Sequence, residues 1–287
     1  MPLRFDPAAS YDVQHDDVVY ARPEGTELLA RVYRPVGAPA GDRPALVDLH
    51  GGAWRYFDRK VDTYYNRALA ACGMVVVALD FRQAPDHQWP SATLDVATGL
   101  HWVEDHAAEL GASTADIGLI GGSSGGQLAL EVGILDKAVV YVLALWPVSA
   151  PDWRYRYALD RIANPRPSSE PLFDPERLCR AQEEYFGDEA RMALASVPRM
   201  LEDGMFAHLP PVWVAQPELD ENVPVEMTER LADAYRAAGG DIEVALFPRL
   251  GHGFANYGGD DADRCIEQMA AFIGAHFATR PAVSPGG

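Results

Sequence analysis

The sequence predicts an α/β fold, with a mostly parallel central sheet, helices on both faces and a small helical cap insertion. Short β-branched or apolar runs alternate with longer helical patterns across the 287 residues, the rhythm of strands joined by crossover helices. The middle runs are apolar on both faces, as strands covered from each side require. One interval, from about Ser149 to Leu209, breaks the rhythm with a stretch rich in Pro, Arg and aromatic residues. It is too long for an ordinary loop.

In order along the chain, DDVVY (16–20) and LLARVYRP (28–35) read as an opening antiparallel pair. Further strands are expected at 45–50, 73–80, 117–121, 139–147, 211–216 and 243–248. Helices are expected around 60–72, 91–109, 125–136, 224–238 and 260–278, and Gly239-Gly240 gives the fourth a C-terminal stop. The interval 149–209 reads as a cap of short helices over the carboxyl ends of the strands, where open α/β sheets place their sites. The expectation is one domain over residues 1–287, with no internal repeat and a disordered tail at 281–287.

A net charge of -18, with Lys only at 60 and 137, repels phosphate backbones and anionic membrane surfaces. Nucleic acid is therefore not an expected partner, and small ligands are expected to be neutral or cationic. Cys72, Cys179 and Cys265 are far apart and lack any C-x-x-C pairing, so they read as buried, reduced thiols and no metal site is expected. The first residues carry no apolar signal region, and no apolar run approaches the roughly 18 residues of a membrane span. A cytoplasmic protein without stable membrane association is the expectation.

The chemistry-bearing stretch is IGLIGGSSGGQLAL (117–130), in which G-x-S-x-G occurs in two overlapping registers, centred on Ser123 and on Ser124. A serine between a buried strand and a helix, with glycines two positions to either side, suits the strained turn that exposes a nucleophilic hydroxyl. Acyl transfer by serine also needs an imidazole, a carboxylate to orient it and backbone amides for the oxyanion. DLHGGAW follows the strand at 45–50, and its glycines can present bare amides; AQPELDENVP and FPRLGHGFANY follow the strands at 211–216 and 243–248. Asp220 and His252 are the natural acid and base, with Glu218 and Glu221 as neighbouring carboxylates. His50 reads as structural, its ring fixing the glycine loop.

These motifs resemble those of the hormone-sensitive-lipase-like branch of α/β-hydrolases over about Pro44 to Phe277. HGGAW is similar to the HGGG-type loop of lipases and esterases, LDFRQAPDHQWPSATLDV (79–96) to the branch's D-Y-R-L-A-P-E segment, and GHGF to its catalytic-histidine motif. The resemblance implies an α/β-hydrolase fold, and its elbow pattern G-D-S-A-G-G-N-L-A aligns Ser123 as the nucleophile. The strand boundary agrees, since Gly121 then directly follows Ile120. It further implies a Ser123–His252–Asp220 triad and an oxyanion hole from the loop Gly51, Gly52 and Ala53 together with Ser124. Alanine replaces the third glycine at 53, which is tolerable provided the backbone there does not need a positive φ. Two departures stand out: fewer than twenty residues precede the first strand, which assigns the lid to 149–209, and the acid loop lacks the D-P-L-x-D form.

The expected activity is hydrolysis of small carboxylic esters through an acyl-enzyme, without cofactor or metal. Trp54, Tyr56, Trp153 and Phe206 are the candidate pocket residues. The alternative is an arylformamidase-like amidase on a small aromatic formamide, because related formamidases share an HGG-x-W loop and a short amino terminus. A non-catalytic small-molecule receptor is a third reading, and a homodimer through an edge strand fits the branch.

Overall fold

The computed structural model describes residues 5–38, 43–170 and 173–278. An eight-stranded sheet runs in the order β1-β2-β4-β3-β5-β6-β7-β8. The strands are β1 (Asp12–Ala21), β2 (Leu28–Val36), β3 (Arg43–Leu49), β4 (Val75–Leu79), β5 (Ala112–Gly122), β6 (Val139–Leu145), β7 (Val212–Pro217) and β8 (Ile242–Phe247). β1 and β2 pair antiparallel, β2 runs antiparallel to β4, and every pairing from β4 to β8 is parallel. All the expected strands are present, β1 and β5 longer than their apolar runs. β5 begins in ASTAD, whose small and polar residues give no strand signal, but Ala112 pairs with Arg43 at the end of β3.

Helices cover both faces. α1 (Thr63–Ala71) and α10 (Asp260–Ala278) pack on one side, where Tyr65, Leu69, Cys265, Met269 and Ile273 meet Leu46, Val76, Ile120 and Leu143. On the other, α2 (Ser91–Asp105), α4 (Ser124–Leu135) and α9 (Val225–Ala237) bury Val96, Leu100, Leu128, Leu231 and Tyr235 against Val47, Val77, Leu119 and Val142. The helix expected over 91–109 is split: α2 ends at Asp105 and α3 (Ala107–Leu110) stops at Gly111, which takes the left-handed conformation. Within the segment 79–96, Arg82 and Asp95 form a two-pronged ion pair with contacts of 2.9–3.1 Å.

Between β6 and β7 lie α5 (Pro151–Ala163), α6 (Pro175–Phe186), α7 (Glu189–Leu194) and α8 (Val197–Glu202). α5 and α6 pack on each other, whereas α8 packs against α9 and α4. The carboxyl ends of β3, β5, β6, β7 and β8 open beneath α5 and α6. Residues 281–287, expected to be disordered, lie outside the described residues. Among the described residues no helix is long and apolar enough to cross a membrane.

Candidate active site

The chain leaves β5 through Gly121 and Gly122 and enters α4 at Ser124, so Ser123 forms the corner between them. Its φ of 55° lies in the left-handed region that side chains avoid. Three main-chain hydrogen bonds hold it there: Ser123 N–H donates to the Leu145 carbonyl at 2.9 Å, and the Ser123 carbonyl accepts from Val148 and Gln127. A Cβ on Gly121 would stand 2.3 Å from the Gly125 carbonyl oxygen, and one on Gly125 would stand 1.8 Å from that of Leu49. Gly122, by contrast, has room. Gly126 is crowded too, with a Cβ there 2.9 Å from Pro147 Cβ, so the steric difference between the two overlapping registers lies in Gly122: both glycines of the Ser123 register lack space, but only one of the Ser124 register does.

Ser123 Oγ lies 3.0 Å from Nε2 of His252, and Nδ1 of the same ring lies 2.8 Å from Oδ2 of Asp220. Because a carboxylate only accepts, Nδ1 carries the proton and leaves Nε2 to accept from the serine. The Asp220 side chain has no exposure, and its second oxygen accepts the Val223 amide at 2.7 Å. The neighbouring acids are engaged elsewhere. Glu218 accepts the Arg249 amide at 2.9 Å. Burial opposes the charge of Glu221, but hydrogen bonds from Arg161, Ser168 and Ser169 outweigh it and hold its carboxyl at about 2.

The loop after β3 faces this corner. The main-chain amides of Gly52, Ala53 and Ser124 have no hydrogen-bond partner among the described residues, as donors kept for a developing oxyanion would be. Gly52 has φ +105°, and a Cβ there would meet the Tyr56 carbonyl oxygen at 2.2 Å. Ala53 has φ 55°. The condition under which alanine is harmless is not met, and its methyl group costs about 1–2 kcal/mol relative to an unstrained backbone. The loop is tied down by Ser124, whose buried hydroxyl accepts the Trp54 amide at 3.2 Å. His50 holds it from behind: its Nδ1–H donates to the Gly51 carbonyl at 2.8 Å and its ring stacks on Phe81. Burial pushes the His50 pKa down, so the ring is neutral.

A residue without any sequence motif joins the acid and histidine loops. Glu170, 9% exposed, accepts the His252 amide at 2.5 Å through Oε1; through Oε2 it accepts the Glu221 and Asn222 amides and the Asn222 side chain at 2.8–3.2 Å. Trp146, immediately after β6, is also without a signal beyond its position at a strand's carboxyl end. Its indole stands edge-on to the His252 ring, 6.1 Å between centroids.

Ser123 and His252 open into a cavity of about 590 Å³. Of the expected pocket residues only Tyr56 lines it. Trp54 is fully buried beneath the loop, stacked on Tyr185 with its indole N–H donating to Gln127. Trp153 stacks on Tyr157 and packs against the core, as does Phe206. Trp54 is expected as pocket wall because it follows the glycine loop, and Trp153 and Phe206 because they lie in or beside the cap; each instead packs its ring into the insert or the sheet. The apolar wall is made by Phe57, Val61, Trp146, Leu178, Leu219 and Phe254, and the charged part by Arg154, Arg177, Arg249 and Glu170.

Residues 46–256 match a family model described as alpha/beta hydrolase fold. Esterase LipI of Mycobacterium tuberculosis is 26% identical over 260 residues, 83% of this chain and 73% of that protein. Carboxylesterase NlhH of the same organism is 28% identical over 243 residues, 81% of this chain and 72% of that one. Among solved structures, brefeldin A esterase, a bacterial homologue of human hormone sensitive lipase, superposes with a TM-score of 0.79 at 25% identity, covering 96% of this chain and 80% of that one.

Proposed function

Since the chain belongs to the α/β-hydrolase-fold family, in its hormone-sensitive-lipase-like branch, and is a carboxylic ester hydrolase, we propose that it cleaves small carboxylic esters by a Ser123–His252–Asp220 triad through an acyl-enzyme. The observation that carries this reading is the unbroken hydrogen-bonded chain from Ser123 Oγ through both nitrogens of His252 to a fully buried carboxylate.

As Ser123 Oγ attacks the ester carbonyl carbon, its proton passes to His252 Nε2, and Asp220 stabilises the imidazolium and holds its tautomer. The carbonyl oxygen becomes the oxyanion, received by the amides of Gly52, Ala53 and Ser124. Collapse expels the alkoxide, which takes the proton from Nε2 and leaves Ser123 acylated. Water, deprotonated by the same nitrogen, then attacks the acyl carbon and releases the acid. The cavity of about 590 Å³ is of the size that holds small ligands, and its mainly apolar wall suits a short ester.

A fluorophosphonate probe and two substrates test the proposal. Stoichiometric labelling at Ser123, with p-nitrophenyl acetate turned over more efficiently than N-formylkynurenine, is the expected result. A strong preference for the formamide would replace the ester reading with an amidase, and failure of the folded protein to label would remove the catalytic reading.

A further inference from the structure

The cavity wall runs against the charge of the chain. Acidic residues outnumber basic ones 42 to 24, which led to the expectation of neutral or cationic ligands. Yet among the described residues lining the cavity, Arg154, Arg177 and Arg249 stand against a single acid, Glu170. That acid is already used: its two oxygens accept four N–H groups from His252, Glu221 and Asn222.

Arg154, on α5, is the informative member. It is 1% exposed, and its only side-chain hydrogen bond among the described residues runs from Nε to Gln182 Oε1 at 2.6 Å. Nη2 is buried without a partner, and the guanidinium lies over the Trp54 ring, 5.7 Å from its centroid. The acid whose charge it feels is Asp220, but both Asp220 oxygens are engaged, by His252 Nδ1–H and the Val223 amide. Burial lowers the Arg154 pKa only to about 10, so the group is a cation at neutral pH. A guanidinium has five donors in a planar fork that matches a carboxylate, and burying one with most of them idle is costly. A ligand carboxylate on the cavity side compensates that cost.

We propose that Arg154 forms an anion subsite and that the preferred substrates are esters bearing a free carboxylate. This rests on the serine-esterase reading of the same cavity. Arg177 and Arg249 at the wall add to a local positive field within an otherwise negative surface, which concentrates such substrates at the mouth.

The test compares ethyl hydrogen glutarate with ethyl pentanoate, which places the carboxylate on the acyl side, and 4-acetoxybutanoate with pentyl acetate, which places it on the alcohol side. Release of acid is followed by titration at constant ionic strength. In at least one pair the carboxylate ester is expected to have the higher kcat/KM, by roughly ten- to a hundredfold, the strength of charge-assisted hydrogen bonds. Arg154→Gln should reduce that ratio to near one. Independently of any variant, glutarate should compete with ethyl pentanoate for the wild-type protein more strongly than sodium chloride of equal ionic strength. If neither carboxylate ester is favoured and glutarate does not compete, while neutral esters turn over and Ser123 labels, the anion subsite is wrong and the esterase reading stands. If nothing turns over and Ser123 does not label, the reading beneath it has failed instead.

Discussion

Glu170 accepts the main-chain N–H of His252 at 2.5 Å, so the histidine loop is held by a carboxylate from the connection between α5 and α6. The same side chain accepts the amides of Glu221 and Asn222, directly after Asp220. One residue therefore fixes the relative position of acid and base. Glu170→Gln keeps the shape but replaces one accepting oxygen by a donor facing N–H groups. Catalysis with a misplaced imidazole loses roughly a hundredfold per ångström, and kcat is expected to fall about 10- to 100-fold with little change in KM. Steady-state kinetics beside circular dichroism checks this; an unaltered kcat in a folded variant would show that the loops hold themselves.

Ser123→Ala and Ser124→Ala should differ sharply. Removing the Ser123 hydroxyl is expected to lower kcat by about 10⁵–10⁶-fold and abolish fluorophosphonate labelling. Ser124→Ala keeps its backbone amide but strands the buried Trp54 N–H that the hydroxyl accepts, a loss of about 1–3 kcal/mol. The second variant should keep measurable turnover with a lower Tm. Equal activity loss in the two would place the nucleophile in doubt.

The glycine loop offers a graded series. Ala53→Gly removes the side chain from a residue at φ 55°, and the relief of strain roughly offsets the added chain entropy, so stability should shift by less than about 1 kcal/mol with activity retained. Ala53→Val adds a β-branch in the same region and should cost roughly 1–3 kcal/mol. Gly52→Ala puts a methyl group 2.2 Å from the Tyr56 carbonyl oxygen and should displace the oxyanion amides, with a drop in kcat of about 10²–10³. Urea unfolding and kinetics on the three variants read both effects.

Asp48 and Asp62 form a buried acidic pair behind the loop. Burial raises Asp48 to about 7, against hydrogen bonds from Asn66 and Tyr65, while burial and the Asp48 charge raise Asp62. Acids with raised pKa values bind more protons folded than unfolded, so the contribution of Asp48 to stability is complete below about pH 4 and is lost as pH rises through about 7. Asp62→Asn replaces one of the two buried acids by a group that cannot ionise. Its Tm should exceed the wild-type value by about 5 °C at pH 8, with the gain shrinking towards pH 5. A gain independent of pH would mean that the pair does not titrate in this window.

The sheet, its helices and the elbow were legible because their causes are local. Runs such as GMVVVALD, short and rich in β-branched residues, favour buried strands, and the glycines around Ser123 are demanded by atoms within a few residues or on the adjoining strand end. By itself the sequence determined the strands and the placing of Ser123, Asp220 and His252, in that order, at strand carboxyl ends. It favoured Asp220 but left Glu218 and Glu221 beside it, since carboxylates this close in one loop differ mainly in where the loop points them. Tertiary structure separates them by setting Asp220 against His252 and turning the other two towards the Arg249 amide and towards Arg161, Ser168 and Ser169. It also set Trp54, Trp153 and Phe206 away from the cavity, where Trp54 stacks on Tyr185, Trp153 on Tyr157 and Phe206 packs against the core. Glu170 and Arg154 stayed invisible for a related reason. Their partners lie 82 and 28 residues away, and a charged side chain acquires a role at such distances only when folding removes the water that otherwise satisfies it.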